Sequence, residues 1–327
     1  MTIFCDDRHK AGNAFEPAYK ALAQTGALAE RARAAWLRLK DCDLCARYCH
    51  VDRIATTRGA VCRTGERAVV CSAGPHHGEE DCLRGTRGSG TIFFSFCNMR
   101  CVYCQNWDIS WGGEGHEVST EELADIMLRL QAAGCHNINF VTPSHVVAQI
   151  IAAVDRAAAQ GLSVPLVYNT GGYDSPEALA LLDGVIDIYM PDMKYSDPEP
   201  GHRYSHVRDY VRVNQAAIRE MYRQVGDLDI DKHGLAHRGL LVRHLVLPNG
   251  IAGTAEGLRF IAEEISRHTY LNLMDQYRPC YRADEYPELD RPITTPEFHD
   301  VLELAELYGL RRSTMIGDSG ASDRGAR

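Results

Sequence analysis

The chain has 327 residues, 45% of them hydrophobic, enough for one large or two small domains around a buried core. Lys and Arg number 35 against 44 Asp and Glu, a formal net charge of −9, so the basic excess that general nucleic-acid binding demands is missing. There is no apolar run of about 18 residues and no apolar stretch behind a basic flank in MTIFCDDRHKAGN, so neither a membrane span nor a signal peptide is expected.

Residues 1–40 read as an alanine-rich helical segment, with an amphipathic helix over 27–39 after the break at Thr25-Gly26. Residues 41–90 differ in kind. Cys, Gly, Arg and His are frequent and apolar periodicity is absent, so an irregular Cys-rich lobe held by metal rather than by apolar packing is expected. His76 and His77 read as candidates for the mouth of an active site or as a solvated loop. The glycines at 85, 88 and 90 read as a close approach to a cofactor or as the turn into the first strand.

From residue 91 a rhythm sets in. Strands are expected at 91–96, 138–141, 166–168, 186–190, 240–247 and 270–274. Between them lie helices over 119–134, where Ser119 and Glu122 form a capping box, and over 146–161, lined by Val147, Ile150, Ile151 and Val154. Further helices open at Ser175-Pro176, run over 215–224, and are marked by Leu258, Ile261, Ala262 and Ile265. A last helix starts at Thr295-Pro296 and runs to Tyr308, and a polar tail from Arg311 is expected to fray. Six strands alternating with helices predict parallel βα units: an α/β fold, a partial (β/α)6 TIM-like barrel over 91–290, followed by a C-terminal helix and tail over 291–327. An open doubly wound sheet is the rival architecture, but no G-x-G-x-x-G follows the first strand; FCNMRCVYCQN stands there instead. In both architectures chemistry sits at the C-terminal strand ends.

Twelve cysteines are present, at 5, 42, 45, 49, 62, 71, 82, 97, 101, 104, 135 and 280. Without an export signal, clustered cysteines read as metal ligands or redox groups. Cys135 and Cys280 stand alone and are expected to be buried thiols; Cys71 and Cys82 read as spare thiols or extra ligands. Cys97, Cys101 and Cys104 form a C-x3-C-x2-C triad directly after a strand. Three thiolates on one loop can each bind one iron of a [4Fe–4S] cubane, leaving the fourth iron open to another ligand, whereas a zinc site usually takes four ligands. An iron open in this way can chelate the amino and carboxylate groups of S-adenosylmethionine, so that one electron cleaves its C–S bond to give a 5′-deoxyadenosyl radical.

On this triad the sequence resembles the radical S-adenosylmethionine superfamily, over residues 91 to about 280. The resemblance implies that Tyr103 packs near the adenine. Asn169-Thr170-Gly171-Gly172, Asp192-Met193-Lys194 and Arg243-His244 through Pro248 look like strand-end motifs of pyruvate formate-lyase activating enzyme and its poorly characterised relatives. That implies a cofactor pocket holding Asn169, Asp192 and Lys194, with Lys194 on the methionine carboxylate and Asn169 on its amino group; Arg243 joins the pocket or an internal salt bridge. Where the family has a Gly-Gly-Glu segment, this chain has Thr142-Pro143-Ser144-His145, offering hydroxyls and an imidazole but no carboxylate; His145 reads alternatively as a helix start.

Cys42, Cys45, Cys49 and Cys62 form a second set, able to close either a [4Fe–4S] cluster or a zinc site. The combined expectation is a cytoplasmic radical oxidoreductase. Its substrate is a small molecule or a peptide, or alternatively a glycyl radical enzyme that it activates, and an electron donor such as flavodoxin or ferredoxin supplies the electron. A non-catalytic zinc or iron–sulfur interaction protein is the rival from another class.

Overall fold

In a computed structural model of the chain, residues 15–310 and 313–315 are described; Cys5, the N-terminal residues before Phe15 and most of the tail from Arg311 lie outside them. Helices α1 (Tyr19–Thr25) and α2 (Ala27–Leu37) are hinged at Gly26, whose φ of 78° ends the first and starts the second. Residues 41–67 form neither strand nor α-helix, yet Cys42 and Leu44 join the main core, so apolar packing also holds this lobe.

Residues 68–90 correct the expectation of an irregular lobe. They supply strand β1 (Ala68–His76) and the short helix α3 (Asp81–Arg84). β1 pairs antiparallel with β2 (Ser89–Phe94) and with β3 (His116–Val118). Several β1 residues face outward, so the strand needs no long apolar run to signal it. β2 itself starts before residue 91 and ends at Phe94, because Phe96 turns away with a φ of 68°.

The alternation follows. α4 (Thr120–Ala132) leads to β4 (Ile138–Val141), α5 (Val147–Ala159) to β5 (Leu166–Thr170), and α6 (Pro176–Leu182) to β6 (Ile188–Pro191). α7 (Pro198–Ser205) and α8 (Tyr210–Val225) precede a two-residue β7 (Asp229–Ile230), folded against β8 (Ala236–Leu245). α9 (Thr254–Phe260), β9 (Tyr270–Met274), α10 (Thr295–Leu307) and β10 (Ser313–Met315) complete the order. β2, β4, β5, β6, β8 and β9 pair in parallel in chain order, the six strands of the expected partial barrel. The sheet is not closed: β3 ends one side and β10, parallel to β9, ends the other. β10 corrects the expectation of fraying at 313–315.

Local chemistry sets the helix starts. Ser119 accepts from the Glu122 amide while the Glu122 carboxylate accepts from the Ser119 amide. The last helix has the same box at Thr294 and Glu297, one residue before the expected Thr295. α7 escapes a periodicity reading because PEPGHRYS offers little apolar pattern, and α8 begins at Tyr210 rather than 215. His145 does not start a helix; α5 begins at Val147. Among the described residues no helix is long and apolar enough to cross a membrane.

Strand alternation divides the sheet into two faces. Ile138, Phe140, Tyr168, Tyr189, Leu271 and Leu273 pack in the main core with residues of the surrounding helices. Val167, Ile188, Met190, Leu241 and Tyr270 face the barrel interior with Cys82 and Leu83 of α3. Asn137 donates to the Leu83 carbonyl at 2.8 Å and accepts from Ser89 at 2.6 Å, which seats α3 at the floor, the N-terminal end of β2 and β4. Cys135 is buried, as expected, and Cys82 lies in this floor; Cys280 is only half-buried, on the loop after β9, because that loop runs over the surface of the mouth.

Gly172 has a φ of 75°, and a Cβ there would run into the Asn214 amide and the Asp192 carbonyl. Gly172→Ala should lower unfolding free energy by about 2 kcal/mol or more in urea titration, since left-handed strain and overpacking add. His244 is fully buried between the Met193 carbonyl and Thr254, and burial lowers its pKa to about 4. The unfolded chain therefore takes up a proton below about pH 6.5 that the folded chain refuses, so this group's contribution to stability falls as pH drops from about 6.5 to 4. His244→Gln should flatten that fall by up to about 1.4 kcal/mol per pH unit.

Candidate active site at the barrel mouth

The loop leaving β2 carries Cys97, Cys101 and Cys104 at the mouth. None of the described cysteines is in a disulfide. Each triad sulfur meets a hydrogen-bond donor. The Met99 amide donates to Cys97 at 3.3 Å, Ser205 lies 2.9 Å from Cys101, and Ser110 lies 3.1 Å from Cys104. A hydroxyl chain backs Cys101: Tyr103 to Tyr195 at 2.6 Å, and Tyr195 to Ser205 at 2.8 Å. Burial pushes the Cys97 thiol up to about 12 and raises Cys104, and the neighbouring sulfurs add to this; Lys194 pulls both the other way. Three sulfurs with a donor on each and an ammonium beside them suit thiolates bound to a cationic centre.

The ends of β5, β6 and β8 meet next to this loop. Asp192 accepts from Lys194 at 2.7 Å and from Arg243 at 3.0 Å, and Arg243 also donates to Asn169 at 2.7 Å. Burial alone would raise the Asp192 carboxyl, but Arg243 and Lys194 outweigh it and hold it below the usual range. Burial pulls Lys194 down, and Asp192 and Cys101 more than reverse this, keeping the ammonium charged. Gly171 lies against Met99 and Lys194, so the β5 exit approaches the cysteine loop closely, and a Cβ there would press on the Met99 sulfur. The structure thus brings Asn169, Asp192, Lys194 and Arg243 together beside the triad, and Arg243 makes the internal salt bridge within that group.

Of the other sequence candidates, Thr142 lies at the same strand ends, its amide donating to the Asn169 carbonyl at 2.9 Å. The Tyr103 ring is 4% exposed and packs edge-on against Tyr195 and Tyr277, in an aromatic cluster behind the loop. Ser144 is buried, 2.8 Å from Thr170, which donates to Asp174; Thr142 turns the chain with a φ of 60°. His145 is fully buried and donates through Nε2 to the Ser95 carbonyl, with its pKa lowered to about 3 by burial. His76 pairs with Ser89 at the start of β2, the floor end of the sheet, and His77 is exposed, so neither lines the mouth. Gly85 and Gly88 turn the chain into β2 at the same floor end.

Sequence reasoning missed Glu79 and Glu80. The strap after β1 carries them to the barrel interior, where Asn272 donates to Glu80 at 2.8 Å. Asn272 lies across the β8–β9 ladder from Arg243. Burial pushes the Glu79 carboxyl up to about 7, against the opposing pull of Arg243. A paired Glu79-Glu80 ahead of a Gly-rich turn was the only signal available.

Two segments cover the cysteine loop. From the N-terminal lobe, Arg47 donates to the Asn98 carbonyl at 2.6 Å and to the His206 carbonyl at 2.8 Å; Arg63 reaches the Trp111 carbonyl, and Arg100 donates back to Val61 at 3.0 Å. From the segment after β9, the Arg282 amide donates to Val102 at 2.9 Å, and Tyr281 stacks on Trp107 with centroids 5.5 Å apart.

A family model described as the radical SAM superfamily matches residues 91–237, which begin within β2 and include the cysteine loop. An uncharacterized protein of Methanocaldococcus jannaschii is 33% identical over 283 residues, covering 83% of this chain and 76% of that protein. Among solved structures, a radical SAM methyltransferase from Sphaerobacter thermophilus shares 13% identity at a TM-score of 0.43, with 68% of this chain and 65% of that chain covered. HydG, a maturase of the [FeFe]-hydrogenase, shares 14% at 0.47, with 68% and 49% covered, so the chain spans about half of HydG and less than two-thirds of the methyltransferase. Residues 91–237 form a domain of the radical SAM superfamily, whose enzymes use a [4Fe–4S] cluster and S-adenosylmethionine.

Proposed function

We propose that Cys97, Cys101 and Cys104 hold the family's cluster, that Asn169, Asp192, Lys194 and Arg243 hold S-adenosylmethionine beside it, and that the enzyme takes hydrogen from a small molecule or peptide in a manner similar to pyruvate formate-lyase activating enzyme. The observation that carries this reading is the triad of sulfurs, each with its own donor, next to a charged network joining three strand ends. The cluster and S-adenosylmethionine supply, with one electron, methionine and a 5′-deoxyadenosyl radical. Lys194 offers an ammonium for the methionine carboxylate, Asn169 an amide oxygen for its amino group, and Arg243 keeps Asp192 ionised. Ser205, Ser110 and the Met99 amide orient the thiolates and withdraw charge from them.

The small substrate is favoured over a protein loop because two segments roof the mouth, the N-terminal lobe through Arg47, Arg63 and Arg100, and the segment after β9 through Tyr281 and Arg282. An activase acting on a glycyl radical enzyme needs that roof to lift.

Reconstituted anaerobically with iron and sulfide and reduced with dithionite, the protein should release 5′-deoxyadenosine and methionine from S-adenosylmethionine. Cys101→Ser should abolish both; an intact cluster that yields neither would overturn the reading. Lys194→Met should raise the KM for S-adenosylmethionine about tenfold or more, the worth of one charge-assisted hydrogen bond, with the cluster's iron content unchanged. The low-molecular-weight fraction of a cell extract should accelerate 5′-deoxyadenosine release. Acceleration by the macromolecular fraction alone would favour the activase.

A further inference from the structure

Cys42, Cys45, Cys49 and Cys62 stand apart from the triad, and their surroundings say more than their spacing does. Cys42, Cys45 and Cys62 are buried and Cys49 is half-buried. The Arg47 amide donates to Cys45 and the Val61 amide to Cys49. Arg53 is 2% exposed, the largest fully buried side chain among the described residues. Its guanidinium donates to the Thr64 carbonyl at 2.7 Å, to the Gly65 carbonyl at 3.3 Å and to Cys42 Sγ at 3.5 Å. No carboxylate pairs with it among the described residues; the acidic groups around it are Cys62, Cys42 and Cys45. An arginine does not shed its proton, and an unpaired buried charge costs several kcal/mol. The Arg53 guanidinium instead faces the sulfur set at Cys42, and thiolates bound to a metal there would supply the missing counter-charge.

The spread of the sulfurs distinguishes the metals. A tetrahedral zinc site, with Zn–S near 2.3 Å, draws its sulfurs to roughly 3.8 Å of one another. Among the described residues no three of these sulfurs lie within 4.8 Å of one another, and the triad sulfurs are spread in the same way. A cubane gives each ligand its own iron and so keeps the sulfurs further apart than one zinc ion does.

We propose that Cys42, Cys45, Cys49 and Cys62 hold a second [4Fe–4S] cluster, fully ligated by the protein, with Arg53 as its buried counter-charge. With no open iron it binds no S-adenosylmethionine. It accepts one electron from a low-potential one-electron donor protein, which is oxidised, and passes that electron to the triad cluster, returning to its own oxidised state. The contacts run from neighbours of one set to neighbours of the other: Arg47, two residues after Cys45, reaches Asn98 beside Cys97, and Arg100 beside Cys101 reaches Val61 beside Cys62. The site assignment stands without the preceding reading; only the destination of the electron rests on it.

The test is metal analysis of the full-length Cys97→Ala/Cys101→Ala/Cys104→Ala variant after anaerobic reconstitution. About four irons and four sulfides per chain, an electron paramagnetic resonance signal on reduction, and no zinc are expected. About one zinc without iron, or a folded chain with neither metal, would overturn the proposal. Should that variant not fold, the parent protein decides: about eight irons without zinc supports the second cluster, and about four irons contradicts it. In the triad variant, Arg53→Met should speed chelator removal of the remaining iron about tenfold, and an unchanged rate would remove Arg53 from the site. Release of 5′-deoxyadenosine by the parent reports on the triad separately, so the two readings fail independently.

Discussion

In the proposed site, three sulfurs on one eight-residue loop cap only three corners of a cubane, and this shortage of ligands is the constraint on which the proposed chemistry depends. A fourth protein ligand would close the cluster and leave no place for a sulfonium donor. The loop is accordingly fixed by other means. Met99, Ser205 and Ser110 each hold one sulfur, and Arg47 and Arg282 pin the loop from opposite sides. The parallel sheet supplies the platform, because its strand ends converge where the chain must deliver Asn169, Asp192 and Arg243.

The buried Asp192 illustrates how that convergence is held. A lone carboxylate there would lose several kcal/mol to desolvation, and one cation would only partly offset it. Lys194 and Arg243 together keep it ionised, and Arg243 extends the pairing to Asn169 on β5. Losing any one of these groups leaves a buried charge short of partners, so the network acts as a unit. Tyr210 serves the same junction from outside the charge network, donating its hydroxyl to the Gly171 and Asp192 carbonyls.

How much of this was legible depends on whether the cause was local. The strands at 138–141 and 270–274 and the capping box at Ser119 read directly, since apolar runs and caps are properties of neighbouring residues. The triad stood out by its spacing, and its strand-end partners only through the resemblance to pyruvate formate-lyase activating enzyme. β1 did not, because a strand with an exposed face carries no continuous apolar signal, and β10 did not, because a polar tail becomes a strand only by pairing with β9. Glu79 and Arg53 were invisible for a different reason: their importance lies in what surrounds them after folding, a barrel interior in one case and four sulfurs in the other. The surroundings of Tyr103 were equally out of reach of the sequence: its ring packs edge-on against Tyr195 and Tyr277, far along the chain.

The central claim concerns one iron left without a protein ligand. Electron–nuclear double resonance on the reduced protein, with S-adenosylmethionine carrying 15N at the amino group and 17O at the carboxylate, addresses it at the atoms concerned. The account predicts hyperfine coupling of both labels to the cluster. A reduced cluster present in full, showing no coupling to either label, would contradict it.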